Sequence, residues 1–175
     1  MKYKSSKMFI HHWSALNSQQ NGIESNISFS KFTWKWVAIP ERGISMSLIR
    51  SSKSEAKNSQ IYVIECLKKR LVPFIQNHHS DKKYIFWPDL ASSHYSDVTK
   101  AWMDQNICYV PKSMNLPNVQ QARPIEDFLG CLVRKLYENG WFADPEVKLT
   151  QRIKTKLKEY DLKFVESLMQ VLKQK

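Results

Sequence analysis

Apolar positions recur along this chain in two rhythms, and the switches between them mark out its elements. Phe32, Trp34 and Trp36 alternate with Thr33, Lys35 and Val37, the period of two that predicts a strand. Pro40-Glu41-Arg42-Gly43 reads as a turn. Ile44, Met46 and Leu48 then alternate with Ser45 and Ser47, predicting a second strand and, with the first, a hairpin. After a polar stretch, Asn58 is a suitable helix N-cap. Ile61, Ile64, Leu67 and Leu71 follow at spacings of three and four, so an amphipathic helix is expected there, kinked or ended by Pro73. Lys68, Lys69 and Arg70 form its solvated face. Lys83–Trp87 reads as a short buried strand stopped by Pro88-Asp89. Residues 94–105 read as a helix carrying Val98, Ala101 and Trp102. Ile107–Val110 reads as a further short strand.

A loop rich in Pro and Asn covers 111–123. Pro124 suits the first position of the next helix, with Phe128, Leu132 and Leu136 as its apolar stripe and Gly140 as its end. Asp144-Pro145 opens another helix, with Leu149, Ile153 and Leu157 inward and Lys148, Arg152 and Lys156 as a parallel basic stripe. Asp161 is placed to cap a last helix containing Leu162, Val165, Leu168 and Leu172. Residues 1–30 follow neither rhythm. They are rich in Ser, Asn and Gln, with Lys2, Lys4 and Lys7 at the start, and are expected to form a poorly ordered basic and polar arm. Residues 31–175 then make one α/β domain, a mixed sheet flanked by helices.

Composition narrows this picture. A chain of 175 residues is one domain's length. An apolar content of 42% with 12% aromatics excludes a disordered chain. Cys66, Cys108 and Cys131 are too few and too scattered for a disulfide framework or a zinc site, and read as reduced thiols of an intracellular protein. The longest strictly apolar runs, such as Trp36–Ile39, are only four residues, far short of a membrane-spanning helix, and Met8-Phe9-Ile10 is too short for a signal peptide. The net charge of +11 favours an anionic partner, nucleic acid or a membrane surface. It is unevenly spread: residues 1–80 hold 12 Lys/Arg against 4 Glu, and all seven aspartates lie beyond them.

The aspartate just past a buried strand is the first candidate for chemistry. Ligands of open α/β sheets collect at the carboxyl ends of strands, and Asp89 stands at such an end. Glu126 and Asp127 lie in the first turn of a later helix. A strand-end Asp and a helix-start Glu can converge on one divalent cation, and Mg²⁺ is commonly held by one or two carboxylates plus substrate phosphate. Two such ions serve phosphodiester chemistry, with a third carboxylate to bridge them. The ordinary roles are equally open: Asp89 as a turn residue, the two helix-start acids as partners of the helix dipole.

The words around these acids add to this reading. Phe86-Trp87-Pro88-Asp89-Leu90-Ala91-Ser92-Ser93-His94-Tyr95 resembles the second catalytic block of mariner-type transposases. Tyr109-Val110-Pro111-Lys112, Pro117-Asn118-Val119 and Gln121-Ala122-Arg123-Pro124-Ile125-Glu126 resemble the run into the family's third catalytic acid. Trp36-Val37-Ala38-Ile39 with Gly43-Ile44-Ser45 is similar to the central hairpin, and the tail with Gly140-Trp141 is similar to members of the family. The resemblance covers about residues 31–170. It implies an RNase H-like fold, metal-dependent DNA cleavage and strand transfer with Mg²⁺ or Mn²⁺, DNA as partner and a nuclear location. It makes Asp89 the second and Glu126 the third catalytic metal ligand, with Asp127 the lesser choice. His94 is placed either near the metal or DNA phosphate or as a half-buried helix-start residue, and the latter is favoured. Lys112, Arg123 and Arg134, and the stripe Lys148, Arg152 and Lys156, are candidates for DNA phosphate.

The departures matter as much. The family's first catalytic Asp lies on a strand upstream of the hairpin, whereas this sequence has no Asp before Asp81 and only Glu24 as an acid before the hairpin. Helix-turn-helix domains that precede the family's catalytic domain have no counterpart in the first 30 residues. After Glu126 the sequence drifts to Asp127-Phe128-Leu129-Gly130, where an Asn and a Trp are usual. The expectation is therefore an N-terminally truncated catalytic domain, weakly active or inactive, with its first strand missing or replaced. Met8–Leu16 is the segment that would replace it, although His11-His12 and the Ser/Asn surroundings are poor strand material. His11-His12 and His78-His79 are poor metal-binding pairs, because adjacent residues face opposite sides of a strand. Alternatives are a non-catalytic module that binds DNA or pairs with itself or with a full-length transposase, and a relic with no selected role.

Overall fold

The computed structural model describes residues 6–14, 34–40, 42–50, 58–115, 124–141 and 146–170. Four strands form one sheet in the order β3-β2-β1-β4. Strand β1 is Ser6–Ser14, β2 is Trp34–Ile39, β3 is Leu48–Arg50 and β4 is Tyr84–Trp87. β1 runs antiparallel to β2, from Phe9↔Ile39 to Ser14↔Trp34, and parallel to β4, from Ser6↔Tyr84 to Phe9↔Trp87. Tyr109 adds a single parallel bridge to Phe86 on the far side of β4. A full strand was expected at Ile107–Val110; two backbone bonds, Phe86 N to Cys108 O and Val110 N to Phe86 O, are what forms.

The central strand corrects the sequence reading. Ser6–Ser14 belongs to the region expected to be a poorly ordered arm, yet it is paired on both sides. Its first-strand role is filled, by a segment overlapping the one named as a replacement. Periodicity could not show this. A central strand draws its stability from ladders of non-local backbone bonds on its two sides, and these leave no local rhythm.

β2 explains the apolar run Trp36–Ile39. Trp36 and Ala38 are fully buried on one face, in a core with Leu48, Phe86 and helix residues Tyr62, Leu67, Leu71 and Met103. Val37 and Ile39 face the other way, into a core with Ile125, Phe128, Leu132 and Leu136. A strand covered on both faces reads as continuous rather than alternating. The hairpin return is shifted from the expected 44–48 to Leu48–Arg50. Before it, Ser45 closes the turn by accepting the Ala38 amide through Oγ at 2.8 Å and donating its own amide to the Ala38 carbonyl at 2.9 Å. Gly43 sits at φ +135 in this turn, where a side chain would be strained.

On the first face lies α1, a continuous helical rod made of Ser59–Ile61, a π-helical Tyr62–Leu71 and Val72–His78. Asn58 caps it as expected, accepting the Gln60 amide at 2.8 Å. Pro73 does not end it. The Val72 amide bonds back to Leu67 O, five residues earlier, and this wider winding lets Pro73 stand as a first-turn proline of the segment that follows. Beside α1 lies α2, Asp97–Asn106, capped by Ser96. The opposite face carries α3 (Pro124–Leu136), α4 (Glu146–Lys158) and α5 (Leu162–Gln170). α3 packs across β1. Asp161 caps α5 as predicted, accepting the Phe164 amide at 2.7 Å. The predicted opening at Asp144-Pro145 lies outside the described residues.

Arg42 ties the hairpin to the loop before β4. Its guanidinium donates to His78 O at 2.9 Å and to both oxygens of Asp81 at 3.2 and 2.9 Å. That bidentate contact, helped by the Lys83 amide, holds the Asp81 carboxyl down at about 2.

Candidate functional site

Asp89 lies immediately beyond β4 and is buried, at 8% exposure. Its Oδ1 accepts the Ala91 amide at 2.9 Å, which folds the chain sharply away from the strand. The same oxygen lies 2.6 Å from His94 Nδ1. His94 ends the single 3₁₀ turn Ser92–His94 and is fully buried. Its ring stacks on Tyr62 of α1, with centroids 4.1 Å apart and planes 27° apart. Burial pushes the Tyr62 phenol well above its ordinary range; nearby Cys66 and Asp89 add to this and the Trp36 indole opposes it. His94 is thus fully buried rather than half-buried, and of the other reading's two placements it has the one beside Asp89, not one open to DNA phosphate. It is packed behind Asp89, between the turn and α1.

A second set of contacts fixes the strand end. Asn115 is 3% exposed. Its side chain accepts from Trp87 Nε1 at 2.9 Å and contacts Pro88 O at 2.8 Å and Tyr95 Oη at 2.7 Å through Nδ2. Tyr95 in turn donates to Val110 O at 3.0 Å. Residues on both sides of Asp89 are therefore locked to the loop that follows the Tyr109 bridge. Sequence reasoning missed Asn115, because nothing local separates it from the other Asn and Pro residues of its loop. Tyr95 was visible only as the last letter of the word containing Asp89.

Glu126 stands in the first turn of α3, as predicted. The helix is seated by Ile125 and Phe128, both fully buried in the core against which Trp87 also packs. The end of β4 and the start of α3 thus share one face of the sheet. Asp127 is exposed. Among the described residues, no three of His, Cys, Asp and Glu gather closely enough to hold a metal ion.

The candidate DNA contacts fall into three groups. Lys112, Arg134 and Lys148 are exposed. Arg123 lies outside the described residues. Arg152 and Lys156 are engaged within the chain. Arg152 donates through Nε to Leu136 O at 2.7 Å and lies over the Trp141 ring at 4.6 Å. Lys156 lies 2.6 Å from Glu138 and 2.8 Å from Glu159. The contact with Lys156 lowers the Glu138 pKa, and the two acids raise that of Lys156. The predicted stripe on α4 is exposed at Lys148, and its other two members clasp α4 to the end of α3.

No protein-family model matches the chain, and no curated protein does. Solved structures do. The Mos1 transposase paired-end complex with its left transposon end superposes with a TM-score of 0.73 at 14% identity, over 98% of this chain and 53% of that one. The Mos1 mariner paired-end complex with Mn gives 0.72 at 15% identity over the same shares. The isolated catalytic domain of Mos1 mariner transposase gives 0.71 at 14% identity, over 98% of this chain and 78% of that one. The chain spans about half the length of the transposase chains in the complexes. At these identities the likeness is one of fold. It agrees with the resemblance read from the words around Asp89 and Glu126 and with the RNase H-like mixed α/β class expected from the sequence: the chain has the fold of the Mos1 mariner transposase catalytic domain.

Proposed function

We propose that this chain is a transposase-type domain that binds DNA and whose phosphodiester cleavage and strand transfer are weak or lost. One observation carries the second half of the reading. β1 occupies the centre of the sheet beside β4, and Ser6–Ser14 contains no acidic residue. Mg²⁺ or Mn²⁺ in such a site would activate a water or 3′-hydroxyl and stabilise the leaving oxygen. On the sequence reading Asp89 and Glu126 would supply two carboxylates, and the central strand supplies none. That donor set does not fit a centre needing a bridging carboxylate, which is why cleavage is weak or lost in this reading. What the chain's own residues do is hold DNA and hold Asp89. The Ala91 amide and the Asn115 contacts fix the strand end, and His94 backs the carboxylate.

A plasmid-nicking assay with Mn²⁺ tests this. The expected result is little cleavage, unchanged in Asp89→Ala. Robust nicking abolished by Asp89→Ala would overturn the inactivity. The second reading, a non-catalytic module that holds DNA or pairs with a second copy or a full-length transposase, is favoured by the +11 charge and the exposed Lys112, Arg134 and Lys148. Its mark is affinity for duplex DNA that falls linearly in log salt, with the slope reduced by Lys148→Ala. The resemblance read from the sequence suggests a nuclear site of action, which localisation of the tagged chain would test.

A further inference from the structure

We propose that the groove between α3 and the α4–α5 turn binds a small planar aromatic anion, whose rings lie against Tyr160 and Phe164 and whose charge pairs with Arg134. The groove offers about 400 Å³, within the range of small-molecule sites. One wall follows from helix spacing. Cys131, Arg134 and Lys135 stand three and four residues apart on α3 and so share a face. Across from them are Tyr160, in the turn after α4, and Phe164, in the first turn of α5. Their rings lie 4.8 Å apart with planes 36° apart, and Phe128 backs Tyr160 from the core at 5.0 Å. Tyr160 and Phe164 are only partly buried, so they leave a flat apolar surface for a planar ring to cover.

Charge decides what kind of ring. Both carboxylates at the rim are engaged: Glu159 lies 2.8 Å from Lys156, and Asp161 accepts the Phe164 amide at 2.7 Å. Lys135 is shared between Glu159, at 3.8 Å, and the face of Tyr160, at 4.5 Å. Arg134 is exposed, and among the described residues its guanidinium meets only Cys131 Sγ, at 3.1 Å. A guanidinium has five donors, so most of its capacity for a carboxylate or sulfonate is unused. The Tyr160 hydroxyl is shielded from water and has no hydrogen-bond partner among the described residues. Burial pushes it up to about 12, with Cys131 adding to the shift and Arg134 opposing it. A shielded hydroxyl without a partner is costly, and an anion held at Arg134 brings an acceptor to the same wall.

The test uses the full chain with 8-anilinonaphthalene-1-sulfonate and with uncharged N-phenyl-1-naphthylamine, which has the same rings and no sulfonate. Fluorescence titration should give a single sulfonate site, bound about tenfold more tightly than the uncharged probe. Arg134→Gln should erase that preference, and Lys100→Gln, at an exposed position on α2, should keep it. Phe164→Ala should weaken both probes, and Arg134→Gln carries the comparison if Phe164→Ala does not fold. Cys131 gives an independent readout, because it lines the groove. In a Cys108→Ser background, where Cys66 is buried, free sulfonate probe at about ten times its Kd should slow alkylation of Cys131 by iodoacetamide about tenfold. Equal affinity for the two probes, a preference that survives Arg134→Gln, or unprotected Cys131 overturns the proposal. Displacement of the probe by an equimolar short DNA duplex overturns it as well, by making the groove part of a DNA surface.

Discussion

At the end of β4, Asn115 joins Trp87, Pro88 and Tyr95 without a formal charge, almost wholly shielded from water. Along the α3–α4 seam, half-buried Arg152 and Lys156 meet the more exposed carboxylates of Glu138 and Glu159. The first set is expensive to break, because a buried donor or acceptor that loses its partner bears the full desolvation cost. The second is cheap, because water replaces each lost partner and salt screens what remains. A basic stripe read from sequence is therefore ambiguous. The same lysine can be a phosphate contact or half of a weak internal clasp, and only the acids opposite it decide.

The sharpest way to test this contrast is Asn115→Ala. It removes the partners of the Trp87 indole, the Pro88 carbonyl and the Tyr95 hydroxyl together, and is expected to cost about 3 kcal/mol in urea unfolding. His94→Ala should follow at about 2 kcal/mol, from the cavity beside Tyr62 and the lost partner of Asp89. Equal losses for these variants and for the seam variants would break the comparison. Arg152→Ala should cost about 1 kcal/mol, chiefly the Leu136 bond and the packing on Trp141, and the loss should persist in high salt. Lys156→Ala should have the smallest effect and vanish in salt.

The acids give a pH-dependent version of the same contrast. The folded Asp81 carboxyl is held at about 2 by Arg42, so its contribution is present above its ordinary range near 4 and is lost as pH falls toward 2. Glu138 shifts in the same direction and loses its contribution in acid likewise. Asp81→Asn should flatten the acid limb of the stability profile more than Glu138→Gln, as followed by thermal melts between about pH 2 and 5.

The sequence made the locally determined parts legible. Asn58 and Asp161 cap their helices as read, because an N-cap is a bond between a side chain and an amide a few residues away. α3 spans Pro124–Leu136 with its stripe of Phe128, Leu132 and Leu136 inward, as its spacing foretold. Asp89 stands at the strand end where the apolar run stopped. Features fixed by distant partners stayed hidden. β1 needs both β2 and β4 to be a strand. Pro73 passes through α1 because of winding set upstream. Asn115 is a hub only once Trp87 and Tyr95 are folded against it. Arg152 and Lys156 could be read as free cations until Leu136, Trp141 and Glu138 were brought beside them.

β1 has one more consequence. Residue 6 meets residue 84 and residue 14 meets residue 34, so the strand closes loops of very different length on its two sides. Without it, β2 and β4 share no ladder, and the sheet is two separate pieces with a slot between them. Assembly of the sheet thus waits on the docking of one short segment, whose ladders join residues far apart in sequence. A chain lacking residues 1–14 would offer two facing strand edges of opposite polarity, a template that a synthetic peptide of that segment can fill in only one register.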